Sequence, residues 1–312
     1  MGRLNEMVHA PTAARAPTLQ HAIADGVMTD LVTPFRWGAV DLHGLRRLVE
    51  WQIRAGVAAL SPCGLMGEGC SLSDEERVLV IRACLEAAGG AVPVIPATGT
   101  LSTETTIALT RTARELGASA ALITVPFYSK PTQAGILQHM ARIVEAVDLP
   151  VIVVDRPERT AVALAPETMA ALAGVPGVVG LVTARPIAQL PTVLVADPGF
   201  TLLSSTEEGF LGAALAGIRG LLSQVANVYP ETVVALQAAC REGRIDEALC
   251  LKDGMAPMIE AFGRWGGPTV AKARLKASLS LLDTVRLPLV ALSLDEVRSL
   301  EAQLSEGALE AV

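Results

Sequence analysis

Four absences narrow this 312-residue chain before any motif is read. It has no basic block and a net charge of −7, which gives no support to nucleic-acid binding. No apolar run approaches the ~18 residues that suggest a membrane span. The five cysteines, Cys63, Cys70, Cys84, Cys240 and Cys250, are odd in number and lack zinc-site spacing. They read as free thiols of a reducing, cytoplasmic compartment. The four histidines, His9, His21, His43 and His139, form no metal-ligand spacing. Residues 1–24 carry Arg3, Arg15, Pro11 and Pro17 without an apolar stretch, so they read as a flexible arm rather than a secretory signal.

Hydrophobic residues, in contrast, reach 51%, with Ala, Leu, Val and Gly dominant and aromatics at only 3%. That is enough for one large core. Short apolar runs alternate with longer amphipathic ones. Val27–Thr33, Ala58–Cys63, Val92–Ala97, Ala120–Val125, Pro150–Val154, Val178–Val182, Thr201–Ser204 and Gly220–Gln224 read as strands. They are apolar nearly throughout, as parallel strands covered on both faces are. Helices are expected at Leu42–Ala55, from a capping box opened by Ser73 and Glu76, and at Ser102–Leu116, Thr132–Val147 and from Pro166 onward. This alternation predicts an α/β fold, a (β/α)8 TIM barrel over residues 25–228. Beyond it, Glu231–Arg241, Asp246–Phe262, Thr269–Leu282 and Leu294–Leu304 predict the last barrel helix and a C-terminal helical extension over 229–312, with Gly254 and Pro257 placed to bend the second.

Several segments, in order, resemble the dihydrodipicolinate synthase / N-acetylneuraminate lyase family of pyruvate-dependent aldolases. They are Val32-Thr33-Pro34-Phe35, Gly64-Leu65-Met66-Gly67-Glu68, the run from Pro126 to Gln133, Pro157-Glu158-Arg159-Thr160 and Ala226-Asn227-Val228. The likeness spans residue 26 to about 305. It implies a lyase that works through a lysine imine with pyruvate, without metal or organic cofactor, in a homotetramer built from dimers. The departures from the family pattern cluster at the chemical centre. Val182 stands at the Schiff-base lysine, Val154 at the proton-shuttling tyrosine, and Leu65 and Met66 at two threonines that hold the pyruvate carboxylate. Valine has no amine, so no imine forms there. Replacing these polar groups together leaves an apolar pocket floor and avoids stranding any one of them.

Tyr128 and Arg159 match the family's motifs. The resemblance makes Tyr128 a proton donor contributed across a subunit contact, and Arg159 a ligand for a substrate carboxylate. Read from the residues alone, Tyr128 is an interface plug sooner than a general acid, and Arg159 is equally an ion-pair partner of Glu158 or Asp155. Glu68 reads as structural. Lys130, two residues after Tyr128, is the alternative nucleophile by position; Lys252, Lys272 and Lys276 read as surface or packing residues. Cys63 and Cys70 flank the Leu65–Met66 loop as thiol candidates. Asp155, Arg156 and Arg185 read as solvated loop charge. Three functions remain open. One is a lyase-like protein that acts on or binds a small carboxylate-bearing carbonyl compound without an imine, with Arg159, Leu65, Met66, Val154 and Val182 lining its site. The second is a non-catalytic ligand-binding or partner subunit, and the third a pyruvate aldolase with a relocated lysine. The expected partners are that small carboxylate and further copies of the chain, as a dimer or tetramer, with neither nucleic acid nor membrane.

Overall fold

A computed structural model describes residues 23–309. The arm expected over residues 1–24 lies outside them except for Ile23 and Ala24. Ile23 is fully buried, and it packs with Met28 and Ala59 in the cluster that fills the barrel.

Seven parallel strands run in the order β4-β1-β9-β8-β7-β6-β5. They are β1 (Val27–Asp30), β4 (Ala59–Ser61), β5 (Ala121–Thr124), β6 (Val151–Asp155), β7 (Val178–Thr183), β8 (Thr201–Ser204) and β9 (Gly220–Ser223). The eighth strand, expected at Val92–Ala97, survives as two parallel bridges, Leu60 with Val94 and Ala97 with Leu122. They close the ring between β4 and β5. Pro93 and Pro96 have no N–H to donate, and this breaks the regular ladder. Both prolines still accept: Leu60 N donates to Pro93 O at 3.0 Å and Leu122 N to Pro96 O at 2.9 Å.

Helices form the outer layer: α1 (Leu42–Arg54), α2 (Asp74–Ala88), α3 (Thr103–Leu116), α4 (Gln133–Ala146), α5 (Pro157–Thr160), α6 (Pro166–Ala173), α7 (Thr192–Ala196), α8 (Glu207–Leu215) and α9 (Pro230–Arg241). The box at α2 forms as expected, with Ser73 Oγ accepting from Glu76 N and the Glu76 side chain accepting from Ser73 N. Besides the short helices α5 and α7, two features went unread in the sequence. One is α8, built almost wholly of small and apolar residues. The other is a hairpin of β2 (Phe35–Arg36) and β3 (Ala39–Val40), turned by Trp37 and Gly38 at positive φ.

Three helices extend the barrel: α10 (Ile245–Trp265), α11 (Gly267–Leu279) and α12 (Leu294–Leu309). Pro257 lies inside α10, and the helix runs through both it and Gly254. A buried pair ties the extension to the loop after β4. Lys272 Nζ on α11 meets Glu68 Oε1, donates to Thr284 O at 2.9 Å, and sits 4.0 Å from the centre of the Phe35 ring. Glu68 Oε2 accepts from Arg286 N at 2.8 Å.

Candidate functional site

Barrel strands alternate inward and outward side chains, so the row of each residue follows from its neighbours. On β7 an irregularity intervenes: Val151 pairs with Val178 but Ile152 pairs with Gly180. This bulge sets Val182 on the inward row, in register with Val154 on β6 and Leu203 on β8. All three belong to the apolar cluster with Met28, Leu122, Ile152 and Leu222, and Val182 is 0% exposed. The position where the resemblance puts an amine is therefore a sealed aliphatic layer.

Above that layer the strand ends turn polar. Asp30 on β1 and Ser61 on β4 are register partners, both buried. Arg156, two residues beyond inward Val154, crosses the mouth and donates Nη2 to Ser205 O at 2.7 Å. With the Gln224 amide turned so that its oxygen faces the guanidinium, Oε1 accepts from Nη1 at 2.6 Å and from Nη2 at 3.2 Å. Burial pushes the Asp30 carboxyl up to about 6, and the Arg156 charge opposes this. The reading of Asp155, Arg156 and Arg185 as solvated charge is overturned. Asp155 is fully buried, pairs with Arg185 Nε at 3.0 Å and accepts from Leu164 N at 3.2 Å, while Arg156 is 8% exposed. A short turn at Pro157–Thr160 folds these charges back over the barrel instead of out into water.

The candidates read from the sequence fall into three groups. Val154 and Val182 meet in the barrel interior. In the loop after β4, Leu65 is exposed, and Met66 packs on the helical side against Gly267, where an added Cβ would lie 2.6 Å from its sulfur. This loop needs its glycines: a Cβ on Gly67 or Gly69 would strike the backbone of Cys63 at 2.9 Å and 2.0 Å. Tyr128 and Lys130, after β5, and Arg159, in α5, are exposed. No side-chain hydrogen bond or ion pair involving any of the three occurs among the described residues. Glu158 lies 3.9 Å from Arg156 and Asp155 pairs with Arg185, so neither acid holds Arg159. Tyr128 and Lys130 both adopt positive φ, 61° and 47°, a strained loop of the kind found at working sites.

Most of the other candidates find structural places, while Cys70 is an exposed free thiol. Burial pushes the Cys63 thiol up to about 12, which removes it as a thiolate nucleophile. Glu68 is taken by Lys272 and Arg286, as a structural role requires. Lys252 pairs with Asp253 and Lys276 with Asp283, leaving no lysine among the described residues on the inward rows. No group of three or more His, Cys, Asp or Glu placed to hold a metal occurs among the described residues, and none of their helices is long and apolar enough to cross a membrane. A groove of about 860 Å³ between α3 and α4, lined by Thr103, His139 and Arg142, lies away from the strand ends.

Sequence reasoning missed Asp30 and Ser61. A signal existed for the first: an acid interrupts the otherwise apolar run from Val27 to Val32.

Comparison with known proteins agrees with this architecture. The 4-hydroxy-tetrahydrodipicolinate synthase of Maridesulfovibrio salexigens is 38% identical over 287 residues, covering 91% of this chain and 98% of that protein. The dihydrodipicolinate synthase structure from Thermotoga maritima superposes with a TM-score of 0.86 at 35% identity, covering 92% of this chain and 99% of that one. The Acinetobacter baumannii enzyme, crystallised in complex with pyruvate, gives 0.85 at 33% identity, covering 91% and 99%. The model of the dihydrodipicolinate synthetase family matches residues 24–307, and the chain belongs to that family.

Proposed function

We propose that this protein takes a small carboxylate-bearing carbonyl compound at the barrel mouth without forming an imine, as a lyase-like member of its family. One observation carries the reading: Val182 is fully buried between Val154 and Leu203, and the inward rows present no amine among the described residues. An imine needs a nitrogen nucleophile within reach of the carbonyl carbon. The relatives named as 4-hydroxy-tetrahydrodipicolinate synthases, and the pyruvate complex among the similar structures, support a 2-oxo acid as the ligand class. Arg159 is a free guanidinium suited to gripping a carboxylate through two N–H groups. Tyr128 is the proton donor in this reading. The residue is 87% exposed in the single chain, which supports a homo-oligomer whose subunit contact covers it.

Thermal denaturation with pyruvate and other 2-oxo acids tests the reading, because a ligand that binds the folded state raises its stability. Pyruvate is expected to raise Tm, and Arg159→Ala to abolish the rise. If the acid also turns over, Tyr128→Phe is expected to lower the rate by about 10²-fold while keeping the Tm shift. A Tm unmoved by every acid contradicts the reading. Binding without turnover favours the ligand-binding family member, for which the apolar barrel floor already speaks.

A further inference from the structure

The polar groups at the strand ends divide into two rows with different fates. The outward row is satisfied by the protein. Thr29 Oγ1 donates to Gln52 Oε1 at 2.7 Å, Ser223 Oγ to Glu207 Oε1 at 2.6 Å, and Ser204 Oγ to Thr206 O at 3.1 Å. The inward row is not. Asp30 Oδ2 has only a long contact from Met66 N at 3.4 Å, and Asp30 Oδ1 has no partner. Ser61 Oγ and Ser205 Oγ have none either, although Asp30, Ser61 and Ser205 are 4%, 0% and 2% exposed. Buried polar atoms are normally paired, and an unpaired one bears its full desolvation cost. Three of them, from β1, β4 and the end of β8, converge on one end of the barrel beside the Arg156 guanidinium.

The chemistry of these groups defines what completes them. An ionised Asp30 only accepts, so its partner must donate a hydrogen bond. Arg156 only donates. A guanidinium has five N–H groups, and the bonds to Ser205 O and Gln224 use three; the Nε–H and one Nη1–H remain as single donors on opposite edges, with Glu158 Oε1 3.9 Å from Nη1. The two serine hydroxyls rotate to suit either role. A molecule that presents an anionic acceptor to Arg156 and a donor to Asp30 satisfies the whole set. A carboxylate oxygen is a charge-assisted acceptor for one of these remaining N–H groups.

We infer that Asp30, Ser61, Arg156 and Ser205 form a binding site for a small carboxylic acid bearing a hydroxyl or amino group next to the carboxylate. The acid would sit with its carboxylate on Arg156 and its donor on Asp30. This rests on the proposal that the barrel mouth takes a small carboxylate, and departs from it by placing that carboxylate on Arg156 instead of Arg159 and by ranking hydroxy and amino acids above 2-oxo acids. A 2-oxo acid turns its keto oxygen toward Asp30, acceptor against acceptor. A 2-hydroxy or 2-amino acid of the same skeleton turns an O–H or N–H there instead.

Lactate, alanine and pyruvate share one carbon skeleton and differ only at C2, so they isolate this contact. Both enantiomers of lactate and alanine, and pyruvate, are titrated into the full-length protein by calorimetry and thermal shift at pH 8. Lactate or alanine is expected to bind at least about tenfold tighter than pyruvate, the weight of one ordinary hydrogen bond. Asp30→Asn should erase that preference, and Arg156→Gln should abolish binding of all three. Circular dichroism melting establishes that each variant is folded. Ser205→Ala, a smaller change, should weaken binding several-fold if either charged variant does not fold. Pyruvate binding as tightly as lactate and alanine overturns the inference, as does a preference that survives Asp30→Asn. If pyruvate binds through Arg159 and is indifferent to Arg156 and Asp30, the inference falls while the proposed function stands. If none of the three acids binds, the inference falls and the inward row is packing alone, while the proposed function is judged by the wider panel of 2-oxo acids.

Discussion

Asp30 sits where a carboxylate pays most for its charge, buried at the barrel mouth with Arg156 as its compensating cation. Its carboxyl is raised from 3.8 to about 6, chiefly by burial. Between those values the folded protein keeps a proton that the unfolded chain has already lost. Stability therefore falls as pH rises from 3.8 through 6, and the loss is complete above that window. A shift of this size corresponds to about 3 kcal/mol. Asp155, also raised by burial, contributes in the same direction but is present in both proteins when an Asp30 variant is compared with the wild type. Urea denaturation of Asp30→Asn and wild type at pH 4 and pH 8 isolates the effect. The stability difference should move in favour of Asn by about 2.5 kcal/mol between the two pH values, because pH 4 already lies just inside the window. An unchanged difference means that Asp30 titrates normally. At this scale the sequence was least legible. The residue types at positions 154 and 182 were plain, but whether Arg156 faced water or the barrel depended on the turn at Pro157–Thr160 and on inward alternation, and a charged residue is normally solvated.

Secondary elements were legible wherever a local rule decides them. Ser73 and Glu76 marked the start of α2, Ser102 and Thr132 cap α3 and α4, and the doubly covered strands were read from continuous apolar runs. Ser73→Ala should cost about 1 kcal/mol in urea denaturation, because Glu76 N loses its side-chain acceptor. Where composition lacked contrast, the rule had nothing to grip. The small and apolar residues of α8 show no polar face, and the prolines at 93 and 96 thinned a strand to two bridges. The loop after β4 and α11 depend on each other through the buried Glu68–Lys272 pair, which sequence separation hid. Burial pushes the Lys272 amine down to about 8. Lys272→Ala should cost about 3–5 kcal/mol, because it strands a buried carboxylate. The double variant Glu68→Gln, Lys272→Met should recover much of that loss in the same measurement. Equal losses in both would show that packing, rather than charge pairing, holds this junction.

For the whole molecule, the (β/α)8 barrel with its helical extension follows from alternation and core size, and the family follows from motifs in order. The chemistry does not follow from the family, because a barrel supports many reactions through changes at its strand ends. Here an aliphatic floor of Val154, Val182 and Leu203 lies beneath a charged mouth of Asp30 and Arg156. The most direct test of imine-free binding is to incubate the protein with pyruvate and borohydride, then measure its intact mass and map its peptides. The expected result is an unmodified chain under conditions where a lysine-dependent aldolase is trapped completely. A stable pyruvyl adduct on Lys130, or on any other lysine, would contradict it.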